Sequence, residues 1–227
     1  MNLSLRRLLR PFKRGGWNSW PQQAYENAAY QLRLAAVQKH LAECIDLLPR
    51  GPISIVSLCA GDGRDVIGTL QANSRRDDVC ACLVELSQQS VDAGVKSAAA
   101  AGLARQIEFV AGDATDFANY AGHVPCDIAI VCGVWGHVPP KERGRLVTSL
   151  TKITKPGCYV VWTRGVTRGM SKLDDIQQHF IKPTWERVRL TITQDGEYAA
   201  ATHRYCGPTQ VAPASGRLFE FVAHAGK

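Results

Sequence analysis

Three acidic or glycine-rich clusters stand at the ends of apolar runs, where ligands are bound in many folds. The first is Ile55-Val56-Ser57-Leu58-Cys59-Ala60-Gly61-Asp62-Gly63-Arg64-Asp65, an apolar run that enters a glycine bend and leaves as a helix-compatible segment. Glycine has no Cβ, so at Gly61 and Gly63 the backbone can turn sharply and come close to a ligand. The second is Glu85, at the end of the run Val79–Glu85. A carboxylate there can accept hydrogen bonds from both hydroxyls of a ribose. The third is Asp113, closing Val110-Ala111-Gly112-Asp113-Ala114. It can accept a hydrogen bond from an adenine amino group, or cap a helix over 114–120, and the two roles are compatible. A fourth run ends in Cys132-Gly133-Val134-Trp135-Gly136-His137 and would line the same crevice.

Around this crevice three side chains are candidates for work on a substrate. His137 is the best-placed base, because imidazole titrates near neutral pH. The competing reading is a loop or cap histidine ahead of Pro139 and Pro140. Trp135 can stack on a planar substrate or form the pocket floor. Arg164, just past the fifth run in Trp162-Thr163-Arg164-Gly165, can grip a carboxylate or phosphate, or lie solvated on the surface. His40 and His203 have no convergent partners in the sequence and receive no role. No metal site is expected: there is no CxxC pair, and Cys80-x-Cys82 lacks zinc-ligand spacing.

The elements that must position these groups alternate regularly. The runs 53–59, 79–85, 107–111, 127–132 and 158–163 are almost continuously apolar, as expected of strands buried on both faces of a parallel sheet. Helix-compatible stretches at 64–72, 87–101, 114–120 and 139–153 separate them. Such alternation predicts right-handed crossovers and a doubly wound α/β sheet. Ahead of it, residues 21–48 read as one helix, with Tyr30, Leu34, Val37, Leu41, Ile45 and Leu48 on one stripe. Behind it come a helix near 171–181 and the runs 186–193 and 198–205, which a short QDG turn makes antiparallel. RLFEFV (217–222) reads as a further strand.

Composition narrows the class. The 227 residues are 45% hydrophobic and 21% charged, the balance of a globular protein with a core. No apolar run is long enough to span a bilayer, and arginines interrupt the apolar residues of the N-terminus where a signal peptide would need continuity. Five positive charges of the net +7 (Arg6, Arg7, Arg10, Lys13 and Arg14) lie in the first 14 residues, so overall basicity is weak evidence for nucleic acid. The expected organisation is a basic arm over 1–20 and one domain over 21–227. The eight cysteines sit mostly in strand-like runs and read as reduced thiols of a cytoplasmic protein.

The order of glycine bend, Glu85, Asp113, fourth-run loop and antiparallel finish resembles a class I methyltransferase that uses S-adenosylmethionine (SAM) and releases S-adenosylhomocysteine (SAH). The likeness spans roughly 21–222, and SLCAGDGRD in particular resembles a group of uncharacterised bacterial methyltransferases. It implies a mostly parallel seven-stranded sheet with antiparallel closing strands. It also implies that Cys59, Ala60, Gly61, Asp62 and Gly63 face the methionine part of SAM, and that Glu85 and Leu86 flank the ribose. Asp113 and Ala114 would contact adenine, Cys132 and Gly133 would pass the sulfonium, and an N-terminal helix carrying Tyr25, Tyr30 and Arg33 would close the site. The chain departs from the family pattern at Ser57, where an acid is usual, and at Cys59, where the first glycine is usual.

The expected reaction is methyl transfer to the N, O or S atom of a small molecule. A nicotinamide-dependent oxidoreductase would share the glycine bend and the later acid. However, the third glycine of GxGxxG is missing. A nucleic-acid methyltransferase is allowed by the basic arm. Against it, the fourth run is followed by Gly-Val-Trp-Gly rather than an Asn/Asp-Pro-Pro-aromatic signature. A scaffold protein that has lost activity is the remaining alternative. Substrate and oligomeric state are not written in the sequence.

Overall fold

The computed structural model describes residues 27–166 and 171–222. The chain runs α1 (Ala28–Leu47), β1 (Ile53–Leu58), α2 (Arg64–Ala72), β2 (Val79–Glu85), α3 (Gln88–Ala100), β3 (Ile107–Ala111), β4 (Cys126–Val131), α4 (Pro140–Ile153), β5 (Thr154–Gly165), α5 (Ser171–Gln177), β6 (Trp185–Ile192) and β7 (Tyr198–Tyr205). Seven strands form one sheet in the order β3-β2-β1-β4-β5-β7-β6. β1 to β5 pair in parallel, and β7 lies antiparallel between β5 and β6. This is the class I methyltransferase fold.

β1 and β4 are almost wholly buried because helices cover both faces of the sheet. One core layer joins α1, α2 and α3 to the sheet through Val37, Leu41, Ile45, Val66, Leu70 and Ala98. The other joins α4 and α5 to it through Leu146, Val147, Leu150, Leu173 and Ile176. Asn27 caps α1, accepting from Ala29 N at 2.9 Å. At its other end, buried Arg75 donates to the carbonyls of Ile45, Leu48 and Pro49 and pairs with Asp78 at 3.0 Å. One guanidinium thus satisfies a carbonyl of the last helical turn and ties it to the loop that follows.

The chain winds outward from β1 through β2 to β3, then returns across β1 to lay down β4 and β5. The winding direction reverses between β1 and β4. Open α/β sheets bind ligands at such a reversal, beyond the carboxyl ends of the strands.

Two expectations need correcting. Residues 114–120 do not form an α-helix; only Phe117–Tyr120 turns, as a short 3-10 segment. The Asp113 and Asp116 side chains each accept from the amide two residues on, Thr115 N and Ala118 N, which breaks the stretch into successive turns. Nor is 217–222 a strand. A single isolated bridge joins Arg217 to Asp116 and no ladder continues from it, although Leu218 and Phe219 are both buried in the core. Its backbone instead bonds Thr115 O, Ser149 Oγ and His137 O.

Candidate functional site

The bend after β1 is left-handed at alternate residues: φ is 55° at Cys59, 60° at Gly61 and 69° at Gly63. Gly63 is required twice over, since a Cβ there would also come within 2.5 Å of Leu83 Cδ2. Cys59 holds this conformation with a side chain, an unfavourable arrangement that neighbouring contacts must stabilise. Ala60 N donates to Val84 O and Gly63 N to Ala60 O, both at 3.0 Å. The bend is thereby pinned to the tip of β2.

Glu85 completes that attachment. Its two carboxylate oxygens accept from Gly61 N and Ser87 N, each at 2.9 Å. Gly112 N donates to Glu85 O at 3.0 Å, which brings the β3 tip and Asp113 alongside. The Cys59 thiol reports the convergence: burial raises its pKa most, and the Glu85 and Asp113 carboxylates raise it further. Gly61, Glu85 and Asp113 therefore meet at neighbouring strand tips. Leu86 next to Glu85 is exposed, whereas Ala114 next to Asp113 is buried.

Asp113 already has protein partners. One oxygen accepts from Thr115 N at 2.9 Å and Thr115 Oγ1 at 2.8 Å, and the other lies 3.4 Å from Arg217. Asp62 forms an ion pair with Arg64.

Arg33 of α1 reaches over the reversal point. A Cβ on Gly133 would lie 3.3 Å from Arg33 Nη2. The guanidinium carbon stands 5.2 Å from the Tyr30 ring centroid and 5.8 Å from that of Tyr198. Its charge opposes the rise in pKa that burial causes at Asp65, and likewise at Cys132, whose thiol is pushed up to about 12. Gly133 N donates to Thr163 Oγ1 at 3.2 Å, which ties the β4 tip to β5. Tyr25 lies outside the described residues.

Of the three substrate-side candidates, Trp135 is corrected. It is 0% exposed and packs edge-on against Trp162 and Phe180, at 5.9 and 6.2 Å between ring centroids. It belongs to the core and offers no face to a substrate. His137 is half-buried on the loop beyond β4; its amide donates to Val134 O and its carbonyl accepts from Val222 N, both at 2.9 Å. Arg164 is half-buried at the end of β5, with a terminal nitrogen 3.0 Å from where a Gly136 Cβ would sit. His40 and His203 are core groups: His40 bonds Thr202 and Thr191, and His203 accepts from Trp162 Nε1 at 3.0 Å.

Sequence reasoning did not single out Tyr198, whose ring stands beside Arg33. Tyr198 is carried there by the insertion of β7 between β5 and β6, so it left no local signal. Among the described residues, no cluster of His, Cys, Asp and Glu is arranged to hold a metal, and no helix is long and apolar enough to cross a membrane.

Comparison with solved structures places the fold among known methyltransferases. Magnesium protoporphyrin IX methyltransferase of Synechocystis PCC 6803, crystallised with SAM, superposes with a TM-score of 0.60 at 15% identity, over 89% of this chain and 91% of that one. A SAM-dependent methyltransferase of Thiobacillus denitrificans in complex with SAH gives 0.58 at 14% identity, over 79% and 98%. A protein of Bordetella parapertussis described as a possible exported protein gives 0.62 at 12% identity, over 79% and 69%. No curated protein matches in sequence. A family model described as "Putative methyltransferase" matches residues 27–167, from α1 to the end of β5 and therefore every strand tip of the crevice. The chain belongs to that methyltransferase family.

Proposed function

We propose that the protein is a SAM-dependent methyltransferase acting on a small-molecule acceptor. The observation that carries this reading is the meeting of Gly61, Glu85 and Asp113 at the reversal point of the sheet, joined through Gly61 N–Glu85 and Gly112 N–Glu85 hydrogen bonds. The residues present fit the adenosyl group. Each Glu85 oxygen gives one lone pair to a backbone amide and keeps another for a ribose hydroxyl. Exposed Leu86 would offer apolar surface to adenine and Asp113 an acceptor for its amino group, with Ala114 packed in the core behind Asp113. Arg33, beside Gly133, would pair with the α-carboxylate, and Cys59–Gly63 and Cys132 would hold the methionine chain.

When bound, SAM supplies an electrophilic methyl carbon. The chain's own contribution is alignment of the acceptor and exclusion of water. His137, on the loop beyond β4, takes the proton from an acceptor that must lose one, with Tyr30 of α1 beside Arg33. The two closing strands add no separate substrate-binding lobe among the described residues, which suits a small acceptor. Magnesium protoporphyrin IX, in the name of the Synechocystis enzyme, is such a molecule. All eight cysteines are free thiols, which suits a reducing compartment such as the cytoplasm.

Titration calorimetry tests the cofactor. SAH binds with a Kd of about 1–100 μM, Glu85→Gln weakens it by about 10-fold or more, and NADH gives no heat. Absence of SAH binding would reject the reading. RNA binding that is strongly salt-dependent and lost on deleting residues 1–16 would move the acceptor to nucleic acid.

A further inference from the structure

The Asp113 carboxylate belongs to a closed ring of three side chains. Its Oδ1 accepts from Thr115 N at 2.9 Å and from Thr115 Oγ1 at 2.8 Å. The Thr115 hydroxyl in turn accepts from Arg217 Nη1 at 3.1 Å, and the same nitrogen stands 3.4 Å from Asp113 Oδ2. Thr115 thus gives its one proton to Asp113 and a lone pair to Arg217. Because Thr115 is fully buried, Oδ1 is turned inward, and Oδ2 is the oxygen that keeps lone-pair capacity for a ligand.

Arg217 reaches this ring from far along the chain. It lies in the C-terminal tail, beyond residue 167, where the match to the family model ends. The tail is clamped on both sides of it. Leu218 N donates to Thr115 O at 2.7 Å, Phe117 N to Gly216 O at 3.0 Å, and Arg145 Nη2 to Arg217 O at 3.0 Å. Leu218 and Phe219 are fully buried, and Ser149 Oγ donates to Leu218 O at 2.7 Å. The backbone of Arg217 is therefore fixed, although its side chain is exposed. An exposed arginine facing a carboxylate ordinarily contributes little to stability. Here its effect is on direction. One nitrogen engages two partners that are already bonded to each other, and so restrains a terminal carboxylate torsion that is broad in a free aspartate. An acceptor selects for one donor only when its own orientation is held.

We propose that Arg217 is a positioning residue of the cofactor site: with Thr115 it fixes the Asp113 carboxylate so that Oδ2 meets the adenine amino group, and the C-terminal tail thereby sets selectivity for the base. This rests on the methyltransferase reading, which puts adenine beside Asp113.

The test is titration calorimetry of the full chain with two ligands: SAH, and the SAH analogue whose base is purine, with hydrogen in place of the amino group. Wild type prefers SAH by about 10-fold or more. Arg217→Met weakens SAH by about 3- to 10-fold and leaves the purine analogue within about twofold of wild type, so the preference shrinks. In an Asp113→Ala background, Arg217→Met changes SAH affinity by less than about twofold. The proposal is overturned if Arg217→Met weakens both ligands equally, as it would for an arginine that only holds the tail, if it weakens neither, or if its full effect persists without Asp113. A wild type that binds both ligands alike also overturns it and leaves the cofactor reading standing. A wild type that binds neither ligand rejects that reading and the proposal with it.

Discussion

At the scale of the residue, the site is built from groups with two tasks each. Glu85 holds the glycine bend through Gly61 N and still has lone pairs for a ligand. Asp113 turns its own loop and faces Arg217. Arg33 is different, since its guanidinium rests on two tyrosine rings and over Gly133 rather than in an ion pair. Its proposed task is therefore separable. Arg33→Met is expected to weaken SAH by about 10- to 100-fold, the worth of one charged hydrogen bond or two. It should leave methylthioadenosine, which lacks the amino-acid carboxylate, bound as in wild type. Equal losses for both ligands in competition calorimetry would show that Arg33 only supports the loop.

At the scale of the element, the strand-loop-helix joints matter most, and the β1–α2 joint is the most constrained. Gly63→Ala places a Cβ on a left-handed residue and against Leu83 and Phe109, 2.5 and 2.8 Å away. The expected loss is about 2–4 kcal/mol in urea unfolding, accompanied by loss of SAH binding; a loss under about 1 kcal/mol would show that the bend can relax. The joints were legible in the sequence because their signals are local. Gly61, Gly63, Glu85 and Asp113 stand where apolar runs stop, and α2, β2, β3 and β7 fall where the patterns of burial and turns placed them. Features set by distant partners were not legible. Leu218 and Phe219 looked like part of a strand but serve as consecutive core residues, and Trp135 looked available but is enclosed by Trp162 and Phe180. Neither outcome can be read from neighbours along the chain.

At the scale of the whole molecule, two buried histidines make stability depend on acidity. Burial, aided by Arg189 and Lys39, lowers His40 from 6.5 to about 4. Burial, aided by Arg187, lowers His203 to about 3. Both rings are neutral in the fold, while in the unfolded chain they take up protons from about pH 6.5 downward. Their contribution is thus complete above about pH 6.5 and is lost as pH falls toward 4 and then 3. Each steepens the decline by up to about 1.4 kcal/mol per pH unit. Urea unfolding of His40→Asn and His203→Asn between pH 6.5 and 4.5 should show a flatter dependence than wild type; an unchanged slope would mean that the rings stay solvated.

The position of β7 has a consequence for how the chain is made. The last strand synthesised is the one that separates β5 from β6, so β6 has no partner until residues 198–205 have emerged, and the long edge of β5 stands open until then. On the ribosome, the part that matches the family model is complete at residue 167, some thirty residues before the first residue of β7. During that interval the nascent protein presents an apolar strand to any neighbouring β-structure. The final hairpin therefore has two tasks, covering the open edge of β5 and bringing the Tyr198 ring to Arg33.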